Sequence, residues 1–261
     1  MNKILQETAR NLLAESKVDF LIGYAEGYDA VHTRPVFINN ANDVEQLIIN
    51  KYCTNNLAVY LPIYKKLKVG IVAKGCDVAS IRELIKEHQI PDENVVVIDV
   101  VCEEAAERVD EKCAGCDGMG TKAIAAGNKA VEGLEKLSAK EKEAFWNKEF
   151  SRCIRCYACR QVCPVCYCPD CFVNRTMPKY LNEAASSEKN KLFSMIRMMH
   201  VFGRCTDCRA CDNACPVGIP LHLLTKKIAM DALELFGYVS GQGQEHPFAT
   251  FKKDELMEGI K

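Results

Sequence analysis

The sequence predicts an α/β N-terminal domain, then a helical connector, then a helical cysteine-rich domain. Three observations carry this. A strand, helix, strand pattern runs from Val69 to Ile98, apolar alternation gives way to helical charge patterning between Gly120 and Lys148, and one cysteine pattern occurs twice between Cys153 and Pro216. With 261 residues, 48% hydrophobic and 26% charged, the chain is long enough to build two cores.

The elements follow in order. Lys3–Glu15 has helical periodicity and leads into the extended runs Val18–Ile22 and Val31–Ile38, with Gly23 and Gly27 expected in the turn between them. A helix is expected from about Asp43, followed by the apolar run Leu57–Tyr60. Val69–Ala73, the helical stretch Val78–His88 and Val95–Ile98 form a β-α-β unit, which implies parallel strands in a covered sheet. Ser138 and Glu141 have capping-box spacing and are expected to start a helix that ends before Cys153. Leu192, Phe193, Ile196, Met199 and Val201 fall mostly on one helical face, and Leu223–Leu235 behaves similarly. The expected boundaries are an α/β domain over 1–120, a connector over 121–150, the cysteine-rich domain over 151–240 and a tail over 241–261 that is either frayed or docked on a partner.

Charge and composition exclude several classes. A net charge of -1 with dispersed Lys and Arg gives no general attraction to nucleic acid or to an anionic membrane. No segment approaches the roughly 20 apolar residues of a membrane span. Met1–Leu13 is amphipathic and broken by Lys3, Glu7 and Arg10, unlike a signal peptide, so the 16 cysteines are expected to be reduced thiols in a cytoplasm. No P-loop, Ser-His-Asp pattern or G-x-G-x-x-G is present. The five histidines form no i, i+4 pair, and His200 alone invites a test as a residue that tunes a neighbouring metal group.

The cysteines carry the chemistry. Cys153, Cys156, Cys159 and Cys163-Pro164 recur as Cys205, Cys208, Cys211 and Cys215-Pro216 at an offset of 52 residues. This is the C-x2-C-x2-C-x3-C-P run of bacterial ferredoxins, in which three thiolates of one tight loop reach three corners of a cubane and the fourth ligates the other cluster. Cys153, Cys156, Cys159 and Cys215 are therefore the expected ligands of one 4Fe-4S cluster, and Cys205, Cys208, Cys211 and Cys163 those of a second. Zinc is the alternative occupant of C-x2-C pairs, although zinc knuckles lack the triplet with a fourth cysteine before proline. The 41 residues between Cys163 and Cys205 have helical period, which favours an α-helical dicluster ferredoxin domain over a compact ββ type.

Eight cysteines remain. Cys113 and Cys116 have chelating spacing, and Cys76 sits at a predicted helix start, where the helix dipole favours a thiolate. Cys76, Cys102, Cys113 and Cys116 form the preferred third set. Cys53 with Cys166, Cys168 and Cys171 forms a candidate fourth metal site, for iron-sulfur or zinc. For Cys53 and Cys102 the competing reading is an ordinary core cysteine.

Gly70–Asp77, Val100–Cys102 and Cys113–Cys116 resemble the beta subunits of hydrogenases and formate dehydrogenases that use a deazaflavin coenzyme. Cys163–Cys168 and His200–Cys205 resemble the dicluster extension of such subunits in anaerobes, whose relatives accompany heterodisulfide-reductase-like flavoproteins. The resemblance implies electron transfer, a cluster at Cys76, Cys102, Cys113 and Cys116, and FAD. It also implies partners that include a dehydrogenase or hydrogenase catalytic subunit. Asn55, Asn56, Lys74 and Gly75 are the candidate flavin contacts, and the roughly 120 residues ahead of the ferredoxin motifs are short against the family.

Overall fold

The computed structural model describes residues 2–100, 127–181, 184–243 and 245. Cys102, Cys113 and Cys116 lie outside them, as do the beginning of the connector and most of the tail.

The N-terminal part is built on one mixed four-stranded sheet in the order β2-β1-β3-β4. Strand β1 (Phe20–Glu26) pairs antiparallel with β2 (Thr33–Ile38) and parallel with β3 (Val69–Ala73), which pairs parallel with β4 (Val95–Asp99). The central strands β1 and β3 are buried almost throughout, as near-continuous apolar runs covered on both faces must be. At the edge, β2 alternates in burial and tolerates Pro35, whose missing N–H faces no partner strand. Helix α1 (Asn2–Ala14) buries Leu5 and Ala9, one turn apart, against this core.

Two expectations are revised. Gly23 lies inside β1 rather than in the turn, because a Cβ there would stand 2.3 Å from Cδ2 of Leu47. The segments expected from Asp43 and Leu57 are 3-10 helices, Ala41–Gln46 and Leu57–Tyr64. Asn40 and Asn56 cap them by accepting a bond from the second backbone N–H, and Pro62 interrupts the second.

Helix α2 (Gly75–Lys86) closes the parallel unit and forms the joint to the rest of the chain. Ile81 and Leu84 face the sheet core. Its polar side meets the cysteine-rich half. Ser80 Oγ and Thr206 Oγ1 are 2.7 Å apart, Lys86 Nζ donates to Tyr238 Oη at 2.6 Å, and Arg204 Nε lies 3.5 Å from Glu87. Glu83 also accepts from the backbone N–H of Gly241, and Glu87 from Tyr167 Oη.

No strand occurs among the described residues beyond 127. Asn128 caps α3 (Lys129–Glu135), and Ser138 with Glu141 forms both halves of a capping box on α4 (Ala139–Ser151). The short helices α5 (Ala158–Gln161) and α7 (Ala210–Asn213) carry the third cysteine of each motif, Cys159 and Cys211, while α6 (Ser187–His200) and α8 (His222–Phe236) frame the second motif. On α6 the buried stripe is Asn190, Phe193, Ser194 and Arg197, whereas Leu192 and Met199 are exposed. Among the described residues no helix is long and apolar enough to cross a membrane.

Candidate metal centres

The duplication seen in the cysteines extends to the backbone. Arg155 and Tyr157 have φ of 51° and 60°, and Asp207 and Arg209, 52 residues on, have 50° and 54°. None is glycine, so each loop holds two residues in a region that costs about 1–2 kcal/mol apiece for L side chains. A loop that must aim three sulfurs inward within seven residues has no extended alternative. The N–H groups freed by this path turn onto sulfur, with Arg155 N donating to Cys153 Sγ at 3.4 Å. Ile219 N donates to Cys215 Sγ at 3.4 Å.

The structure brings the eight thiols together in two sets. Cys153, Cys156, Cys159 and Cys215 line one small cavity with Phe193, Ile219 and Leu221. Cys159 feels the charge of Cys153, Cys156 and Cys215, and Cys153 that of Cys156 and Cys215, the last from the second motif. Cys205 and Cys211 feel Cys208 and, from the first motif, Cys163. Each set thus holds three thiols of one loop and the fourth of the other. Trp146, Phe150, Ile219 and Leu221 pack about the half-buried Cys153, Cys159, Cys211 and Cys215.

Burial pushes the thiols up, Cys159 to about 11 and Cys205 to about 12, so as bare side chains they resist ionisation. A metal group that demands thiolates must therefore displace their protons on binding. Cys163 goes the other way, lowered by a hydrogen bond from Cys166 and by Arg197. Among the described residues no three His, Cys, Asp or Glu side chains converge as a single ion requires. A tetrahedral zinc with Zn–S of about 2.3 Å would need sulfurs roughly 3.8 Å apart. The donor set, the crossed membership and the N–H bonds to sulfur suit two cubanes instead.

Charged side chains sit deep around both sets. Arg197 Nη2 donates to the carbonyl of Cys159 at 3.1 Å, and Asn190 Nδ2 donates to the carbonyls of Phe150 and Cys153 at 2.9 and 2.8 Å. In the second loop Asp207 lies 3.5 Å from Lys226 and 3.9 Å from Arg209. Asp212 accepts from the N–H of His222 at 2.9 Å and also bonds its ring, tying the loop to α8. Sequence reasoning missed Arg197 and Asn190. The signal available was a polar stripe, Asn190, Ser194 and Arg197, at helical spacing between the two motifs.

Cys166, Cys168 and Cys171 line a cleft of about 450 Å³ together with Cys163, Arg160, Arg197, His200 and Arg204 and with Tyr60, Pro62 and Ile63 of the N-terminal part. Cys53 is not there. It is 4% exposed in the N-terminal core, with its sulfur accepting from Asn50 N at 3.4 Å, and it shares the surroundings of Lys74 with Cys76.

Cys76 stands in the first turn of α2 beside a buried polar network. Lys74 Nζ bonds Asp77 Oδ2 at 2.7 Å and the carbonyl of Asn55 at 2.8 Å, and Tyr24 Oη donates to that carbonyl at 2.6 Å. Asn56 Nδ2 donates to Ser80 Oγ at 2.9 Å while its Oδ1 caps the following 3-10 helix. Gly75 opens α2 and is buried. The side-chain polar atoms of Asn56 and Lys74 are thus engaged within the protein rather than solvated.

Residues 149–219 match the family model of the 4Fe-4S dicluster domain. The chain is 25% identical over 346 aligned positions to the F420-dependent formate dehydrogenase subunit beta of Methanocaldococcus jannaschii, covering 90% of each chain. It is 28% identical over 102 residues to the F420-dependent formate dehydrogenase 1 subunit beta of Methanococcus maripaludis, covering 39% of this chain and 26% of that one. The first alignment is longer than this 261-residue chain by 85 positions, so the relative carries at least that many residues with no counterpart here. The chain therefore carries a 4Fe-4S dicluster domain and is similar over most of its length to a formate dehydrogenase beta subunit.

Proposed function

We propose that this chain is an iron-sulfur electron-transfer subunit of a multisubunit oxidoreductase of the formate dehydrogenase, hydrogenase or heterodisulfide-reductase-like kind. The observation that carries the reading is the pair of thiol sets, each completed by the fourth cysteine of the other motif. Bound there, each 4Fe-4S cluster would accept and release one electron without proton or group transfer. The protein's share is to bury the thiols, donate N–H groups to sulfur and hold the two loops at fixed separation.

The same reading assigns Cys153, Cys156, Cys159 and Cys215 to one cluster and Cys205, Cys208, Cys211 and Cys163 to the other. It divides the chain into an α/β domain over 1–120, a connector over 121–150 and an α-helical dicluster domain over 151–240. Cys76 with Cys102, Cys113 and Cys116 forms the third cluster set. Cys166, Cys168 and Cys171, which line the cleft, serve a further iron-sulfur group rather than a single ion, with a fourth ligand other than Cys53. The partners are redox subunits in a cytoplasm, a dehydrogenase or hydrogenase catalytic subunit and a heterodisulfide-reductase-like flavoprotein.

Iron and acid-labile sulfide counting on anaerobically purified full chain tests this, with at least about eight irons expected and more for each further site. Cys215→Ser should then remove the cluster of the Cys153 loop and leave that of the Cys205 loop. Protein that is colourless and iron-free from such a preparation overturns the reading. A second reading, favoured by the F420 dependence in the relatives' names, is a flavin-bearing subunit that exchanges electrons with a hydride carrier. Flavin released on denaturation of the purified chain supports it, and a flavin-free chain with full iron content excludes it.

A further inference from the structure

Arg197 is a costly residue where it stands. It projects from the last turn of α6, is 7% exposed, and its Nε has no hydrogen-bond partner. Among the described residues no carboxylate pairs with it. Burying a guanidinium in this way costs several kcal/mol unless other charge offsets it. Its Nη2 reaches the carbonyl of Cys159, in the first thiol set, and it lines the cleft beside Cys163, in the second. The thiols whose charge acts on it are Cys163 and Cys211 of the second set, Cys159 of the first, and Cys166 of the cleft. The motif loops repeat at an offset of 52, but Arg197 does not, since the positions 52 residues away are Phe145 and Ala249. One cation faces two sites.

We propose that Arg197 is the shared counter-charge of the two clusters, raising the reduction potential of both. The inference rests on the reading that the eight motif cysteines hold two clusters. Each reduction adds one electron and makes the cluster one unit more negative, with nothing else transferred. A positive charge fixed at the sulfurs favours the reduced form of either cluster. Because guanidinium stays protonated at all working pH values, the effect is independent of pH. A buried site strengthens it, since little water intervenes to screen the charge.

The test is an EPR-monitored reductive titration with dithionite on the anaerobically purified full chain, wild type, R197Q and R197K, each with iron counted. R197Q is expected to lower the one-electron reduction equilibrium constant of both clusters at least about tenfold, equal to about 59 mV. R197K should retain most of the wild-type value. R197Q losing iron while R197K keeps both clusters also supports the proposal, because charge and not shape is then required. Unchanged potentials in iron-replete R197Q, a shift in one cluster alone, or loss of iron from both variants overturns it. Wild-type protein with fewer than about eight irons instead overturns the two-cluster reading on which it stands.

Discussion

Replacing Asp77 by Ala should be among the most damaging single changes in the N-terminal half. Asp77 is fully buried, and its Oδ2 accepts from Lys74 Nζ at 2.7 Å and from the Lys74 backbone N–H at 3.0 Å, with Tyr24 Oη 3.3 Å away. Burial pulls the Lys74 ammonium down while Asp77 and Cys76 hold it up, with a net position above the ordinary value. Without Asp77 that ammonium, whose side chain is 12% exposed, keeps only neutral acceptors on Asn55 and Tyr24. Removing one member of a buried pair costs about 3–5 kcal/mol. At roughly 2–4 °C per kcal/mol for a chain of this size, the melting temperature should fall by about 6–20 °C. Thermal and urea unfolding followed by circular dichroism, on preparations matched for iron content, would measure it. The double change Lys74→Met with Asp77→Leu removes both charges and should cost less than Asp77→Ala alone. A single change costing under about 1 kcal/mol, or a double change worse than the single, refutes the argument.

Three further outcomes are expected. Glu83 has its carboxyl raised by burial, against the opposing pull of Lys86 and the Gly241 N–H, so the folded state binds its proton more tightly than the unfolded state. Its contribution to stability is then full below the unfolded value of 4.5 and is lost as pH rises through the folded value. Melting curves of wild type and Glu83→Gln between about pH 4 and pH 7 should show wild type losing ground as pH rises, and a constant difference would be the wrong result. Asn190→Ala should cost about 1–3 kcal/mol and speed iron release from the Cys153 loop to a chelator, because its amide ties that loop to α4. Ser80 accepts from Asn56 and can donate to the carbonyl of Cys76 while accepting from Thr206, so Ser80→Ala strands two buried donors and Thr206→Val strands none. Ser80→Ala should be the more destabilising in urea titrations, and the reverse order would show that Thr206 makes the bond that matters.

The duplicated cysteines, the capping box at Ser138 and Glu141 and the Val69–Ile98 unit were legible because each rests on local spacing. The α6 face was not. Its apolar residues point to a stripe through Leu192 and Met199, yet both are exposed and the buried stripe is Asn190, Phe193, Ser194 and Arg197. Apolar periodicity finds the face that meets an apolar partner. This helix instead meets cysteine loops whose carbonyls need donors, so a polar stripe is what goes inside. Gly23 was misread for a related reason: its role is set by Leu47, 24 residues away, and no turn signal encodes that contact. The 3-10 geometry of Leu57–Tyr64 follows from Pro62, which removes a backbone donor from a run otherwise apolar enough for a helix. The grouping of Cys53 with Cys166, Cys168 and Cys171 rested on arithmetic among unassigned thiols, which carries no information about which loops meet.

Helix α2 explains how a sheet domain and a cysteine-rich half can act as one electron path. Its first turn carries Cys76, and its side toward the cysteine-rich half carries Ser80, Glu83 and Lys86, with Glu87 at its C-cap and Ala79 packed on Val239 and Leu233 among them. The Cys76 carbonyl, the Ser80 hydroxyl and the Thr206 hydroxyl form a chain of contacts of 3.1 and 2.7 Å that ends between Cys205 and Cys208. An apolar joint would allow the halves to slide with little penalty. Directional bonds between buried groups do not, since each displacement strands a donor or acceptor at about 1–3 kcal/mol. Electron transfer between two centres depends on the distance and medium between them, so a joint that resists sliding fixes a rate as well as a shape. On the proposed function, the polar character of this joint is therefore a requirement of the relay, and the first turn of α2 is the place where a centre held by Cys76 would meet it.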